Sequence, residues 1–215
     1  MDPRDWIYLG SVFIALIAFG TGLVREVISA MSDQRNAQRK EIHEKLNKFY
    51  APLLLQIEVL KQLNSSFKGG EDYRILEELL KGKYPEGNQK SILDQIIAIE
   101  VDVEKLILEG AGLVDKDLFS SMPEDLNGDK LLRRSCGDEN YESVYQVLQD
   151  FLVHIRILRM AANKEICGDL EGFRKYVFPR ILDEVLESKV LELKENLAEL
   201  NRPMGEKIAE RLTGS

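Results

Sequence analysis

From Trp6 to Val24 the chain reads WIYLGSVFIALIAFGTGLV, nineteen residues without Asp, Glu, Lys, Arg, His, Asn, Gln or Pro. A helix of that length spans about 28 Å, close to the hydrocarbon thickness of a bilayer. Trp6 and Tyr8 stand at one end, where amphipathic rings favour the headgroup layer, and Arg25 closes the other. The pattern predicts one transmembrane helix over residues 6–25 behind a tail of residues 1–5. Two rivals fit less well. A cleaved signal peptide needs a net positive start, an apolar core of about 7–15 residues and a small-x-small cleavage site. Here MDPRD is not net positive and Ile28-Ser29-Ala30 cleaves poorly. A buried core helix would not run so long without charge.

Beyond Arg25 the period changes. Residues 26–48 are polar on most sides and predict a helical stalk. From Ile42 a three-and-four stripe begins: Leu46, Phe49/Tyr50, Leu53, Ile57, Leu60. Pro52 falls inside it, either kinking one helix or opening a second; the seam keeps its phase, which favours a kink. Glu71–Lys81 predicts a short helix, ended by Pro85 and Gly87. Ser91–Glu109 predicts a helix with a capping-box-like Ser91/Asp94 pair and an inward 92-96-99-103-106 stripe. Residues 110–140 are rich in Gly, Asp and Ser, with a short helix conceivable over Lys116–Ser121. Tyr141–Asn163 predicts a strong helix and Gly168–Val177 a short one. Pro179–Asn201 predicts the clearest amphipathic helix, with Leu182, Leu186, Val190, Leu193, Leu197 and Leu200 inward. No strand alternation or repeat interrupts this. The expected fold is all-α: an N-terminal transmembrane helix, a stalk, a helical bundle over residues 49–203 and a tail over 204–215.

Charge sets the orientation. Arg25, Arg35, Arg39, Lys40, Lys45 and Lys48 follow the anchor, so the positive-inside rule puts the bundle in the cytoplasm and the N-terminus outside. The same cations suit contact with anionic lipid. Residues 1–50 carry seven basic and six acidic side chains; residues 51–215 carry 22 and 31, a net of −9. Such an acidic domain is no general nucleic-acid binder. Cys136 and Cys167 are the only cysteines, which fits reduced thiols and no disulfide framework.

Candidate chemistry is sparse. His43 lies on the polar stalk. His154 follows Asp150 by one turn, a base oriented by a carboxylate or simply an i,i+4 pair at the core's edge. Asp125, Asn127 and Asp129 begin like a calcium loop, but Lys130 stands where Gly is needed and Cys136 where Glu is. No phosphate loop or HExxH occurs, and no metal or cofactor is expected. Arg133, Arg134, Arg156 and Arg159 form a basic set in an acidic domain, suited to a small anionic ligand or to ordinary pairing with carboxylates. In the anchor, Ser11, Ala15, Ala18 and Gly22 recur at four, three and four, a small-residue face that permits close helix packing and a homo-oligomer.

The run KLNKFYAPLLLQIEVL, Lys45–Leu60, resembles the (L/F)Y-x-PL helix that follows an N-terminal membrane helix in a group of bacterial proteins. In that group a His shortly before a basic residue comes later, similar to Phe151–Arg159, and then a Phe/Tyr-Pro opens a final amphipathic helix, similar to Phe178-Pro179. The resemblance implies a bacterial inner-membrane setting and no particular activity. In plan alone the chain also resembles the membrane effectors of antiphage defence systems. These features lead to an expected non-enzymatic, membrane-anchored interaction or sensor protein, with a protein partner or an anionic ligand. The alternatives are a membrane-damaging or pore-forming effector and, third, a hydrolase using His154.

Overall fold

The helical path runs on through Pro52. Helix α1 covers Pro3–Lys45 and α2 covers Ala51–Ser66, and one π-helical turn, Leu46–Tyr50, joins them. Lys45, Tyr50 and Ala51 all keep right-handed helical angles, and Ala51 N–H donates five residues back to Leu46 O. Pro52 sits in the first turn of α2, where a missing N–H costs least. A π turn puts an extra residue into the helix, and such turns mark kinks. Here it brings two neighbours inward together: Phe49 and Tyr50 are both fully buried, edge to face at 4.9 Å.

The computed structural model describes residues 3–67, 75–114, 141–169, 173, 178–179 and 181–203, without the side chains of residues 3–18 and of Val24. Among the described residues every regular element is helical, as the sequence predicts. After α1 and α2 come α3 (Ile75–Leu80), α4 (Asn88–Glu109), a 3-10 turn (Ala111–Leu113), α5 (Val144–Ala162) and α6 (Leu182–Asn201). The predicted helix at Lys116–Ser121 and, apart from Gly168, Asp169 and Phe173, the one at Gly168–Val177 lie outside the described residues, as does the calcium-like loop.

Two compact units divide the chain, residues 1–42 with 197–215, and His43–Asn196. In the first, Arg35 and Arg39, four apart on one face of α1, grip the end of α6. Arg35 donates to Leu200 O at 2.7 Å and to Arg202 O at 2.8 Å; Arg39 donates to Leu200 O through both Nε, at 3.2 Å, and Nη2. The last carbonyls of a helix lack partners and carry partial negative charge, so two guanidinium groups suit them. Sequence reasoning assigns these arginines to lipid contact; the structure places them on helix carbonyls. Phe19, Leu23, Val27, Ile28 and Met31 of α1 are exposed. Among the described residues no helix is long and apolar enough to cross a membrane. The predicted anchor has a helical backbone, but its side chains 6–18 and Val24 lie outside the described set.

In the second unit α4 packs against α2 and α5, and α3 against α5. The core is built from Leu53, Ile57 and Leu60 of α2, Leu79 and Leu80 of α3, Ile96 and Val103 of α4, Val147, Phe151 and Ile155 of α5 and Leu182, Val185 and Leu186 of α6. Lys61 pairs with Asp183 between α2 and α6; this hydrogen bond outweighs partial burial and raises the ammonium above its usual range. Three predicted helix starts shift, α6 opening at Leu182 rather than Pro179. α4 begins at Asn88 behind Gly87, whose φ of 59° only Gly adopts readily, so Ser91/Asp94 is no cap. α5 begins at Val144, where the Ser143 hydroxyl accepts from Gln146 N–H. α5 ends in a left-handed turn at Lys164, φ 63°, with Glu165 N–H donating to Met160 O at 2.9 Å, a closure Gly usually supplies. The Lys164 ammonium stands 4.4 Å above the Tyr84 ring.

Candidate functional site

The charged cluster of the second unit grows out of the helical period of α4. Its buried stripe is Leu93, Ile96, Glu100, Val103 and Ile107, one residue on from the predicted stripe at most positions. Ile99 is only half-buried, and its neighbour Glu100 takes the central inward place at 3% exposure. One turn later, and on the same side, stands Glu104.

Opposite, α5 presents Arg156 and Arg159 three residues apart, which puts both on one side of the helix. Arg156 Nε donates to Glu104 Oε1 at 2.7 Å and Arg159 Nη1 donates to Oε2 at 2.8 Å. One carboxylate thus holds two guanidinium groups, each oxygen taking a short charge-assisted bond. Burial pushes the Glu104 carboxyl up, and the bonds from Arg156 and Arg159 outweigh it, leaving the group below its usual value. Glu100 behaves oppositely. Burial raises it to about 8, with the charge of Arg159 pulling down against that, and its Oε2 has no hydrogen-bond partner. At neutral pH the cluster is therefore two cations, one anion and one largely neutral acid.

Arg156 and Arg159 of the predicted basic set are brought together; Arg133 and Arg134 lie outside the described residues. His154 is buried, stacked with Phe151 at 6.5 Å and edge-on to Phe178 at 5.6 Å. Asp150 accepts from the Tyr141 hydroxyl at 3.1 Å. Cys167 is exposed. Among the described residues no group of three His, Cys, Asp or Glu could hold a metal. Of the proposed oligomer seam, the Ser11, Ala15 and Ala18 side chains lie outside the described set; at Gly22 open space surrounds the backbone. Sequence reasoning missed Glu100 and Glu104. The available signal was a lone Glu on the 93-96-100-103-107 stripe, one residue off the phase assigned to it.

The arrangement can do two things chemically. It locks α4 to α5 through a shared carboxylate, and it holds a buried acid whose charge is set by a single proton. No family model, no curated protein and no solved structure matches the chain.

Proposed function

We propose that this protein is a single-pass, membrane-tethered helical interaction or sensor protein without catalytic activity, self-associating in a bacterial inner membrane with its bundle in the cytoplasm. The observation that carries the reading is α1, one helix over Pro3–Lys45 on which the charge-free stretch Trp6–Val24 lies without a break. The exposed Phe19, Leu23, Val27, Ile28 and Met31 support it, because lipid or a second helix would cover such side chains. The sensing surface is the α4–α5 cluster, where a small anionic ligand would compete with Glu104 for Arg156 and Arg159.

Membrane extraction at alkaline pH and a reporter fused at Ser215 test the tether. Retention of the full chain, loss of retention on deleting residues 1–25, and a cytoplasmic reporter are expected. Extraction of the intact chain, or a reporter on the far side, would overturn the topology. Self-association is read by crosslinking in membranes: Ala18→Leu with Gly22→Leu should abolish oligomers, and unchanged oligomers would remove the seam from the proposal.

A further inference from the structure

We propose that Arg159 is a two-position side chain operated by a proton on Glu100: it pairs with Glu104 while Glu100 carries the proton, and turns to Glu100 when that proton leaves to solvent. The inference stands on the packing of α4 against α5 and holds whether or not the chain is tethered to a membrane.

Glu100 sits between Ile96 and Val103, both fully buried, with one oxygen unpartnered. A carboxylate left bare there would be far costlier than one in water, so ionisation demands a cation. The surroundings supply few. The buried face of α2 is Leu53, Ile57 and Leu60, while its Glu58 and Lys61 are exposed. The 3-10 turn Ala111–Leu113 has no ionisable side chain. α5 contributes buried His154, whose ring stacks on Phe151 and meets Phe178 edge-on, half-buried Asp150, which receives the Tyr141 hydroxyl, and the two arginines. Arg159 is the cation whose charge acts on Glu100.

Three features let Arg159 move. Glu100 and Glu104 are four apart, so their stems lie roughly 6 Å from one another on the same side of α4. Glu104 keeps Arg156 when Arg159 leaves, so no carboxylate is stranded. The Arg159 side chain is 34% exposed, so its head can turn without unpacking the core. The two states differ in one proton and in which carboxylate of α4 holds Arg159. Burial puts the exchange near neutral to mildly alkaline pH.

The test is a titration of the full-length chain in detergent micelles, labelled at glutamate carboxyl carbons and arginine Nε and followed by NMR from about pH 5 to 10. In the wild type one glutamate should titrate above neutrality, and the Arg159 Nε signal should move with the same midpoint while Arg156 stays still. Arg159→Gln should raise the Glu100 midpoint by roughly one pH unit, and Arg156→Gln should leave it within a few tenths. Glu104→Gln, which frees Arg159, should lower it. An Arg159 signal that stays fixed through the Glu100 titration would overturn the proposal, as would equal shifts from the two arginine variants. The first readout uses unaltered protein and does not depend on any variant folding.

Discussion

Phe49 and Gly110 are in contact so close that Gly110 has no room for a side chain. A Cβ built on Gly110 would lie 2.7 Å from Phe49 Cε2 and closer still to Cδ2. Gly110 also ends α4, its N–H donating to Leu106 O at 2.9 Å. The π turn turns Phe49 inward, and the absent Cβ at the end of α4 gives its ring a place. Gly110→Ala is expected to destabilise the chain by about 1–3 kcal/mol through overpacking. Combined with Phe49→Leu it should cost less than the two changes summed, because they share one contact. Urea unfolding of the four proteins checks this; strict additivity would mean the ring and the glycine are not coupled.

Glu104 is the shared anchor of two arginines, and its loss should be felt more than theirs. Glu104→Gln is expected to destabilise by about 1–3 kcal/mol at pH 7. Arg156→Ala, at a side chain 53% exposed, should cost under about 1 kcal/mol. The pH dependence has a definite sign. The folded carboxyl is held below its unfolded value of 4.5, so its contribution is complete above that pH and disappears as pH falls through the lower folded value. Thermal melts below about pH 4.5 should show this loss in the wild type and not in Glu104→Gln.

Glu100 runs the other way. Its folded value, about 8, lies above the ordinary 4.5. The unfolded chain therefore releases this proton first, and stability declines as pH rises from 4.5 towards 8, then levels. Glu100→Gln keeps the size and removes the titration, so it should be nearly neutral at pH 5 and stabilising by on the order of a few kcal/mol at pH 8. Equal midpoints of unfolding for the two proteins at pH 8 would show that Glu100 is not buried as described.

Helix type and order were legible in the sequence, and helix phase less so. The stripe Leu53, Ile57, Leu60 and the inward set Leu182, Leu186, Val190, Leu193 were readable because they keep a three-and-four spacing, although Leu55, Val59 and Leu191 stand exposed on the same helices. In α4 the apolar residues crowd more than one face. Ile92, Ile97, Ile99 and Leu106, each half-buried, share the choice with Leu93, Ile96, Val103 and Ile107, and periodicity alone picked the neighbouring phase. That one-residue shift hid Glu100. The two-to-one pairing at Glu104 was invisible for another reason: it joins residues 52 and 55 positions apart, and nothing local in a sequence encodes such a pair. Arg35 and Arg39 were legible as cations and not as caps, since their acceptors are backbone carbonyls, which every sequence has.

Removing that cap should have a local signature. Arg35→Ala with Arg39→Ala leaves the Leu200 and Arg202 carbonyls to water, and the last turn of α6 frays. Hydrogen exchange should quicken in residues 197–202 while the amides of α4 and α5 keep their protection. Unchanged exchange in residues 197–202 would show that the two arginines do not hold that end.

The same grip fixes an order of events during synthesis. Arg35 leaves the ribosome early, but its acceptors lie 165 and 167 residues further on. At ordinary translation speeds they follow on the order of ten to thirty seconds later. Every helix of the second unit except the end of α6 has emerged by then, and each can find its neighbours while α1 waits. The arginines of α1 therefore spend that interval ungripped, and the fastening of α1 to the end of α6 is among the last steps of folding rather than its start.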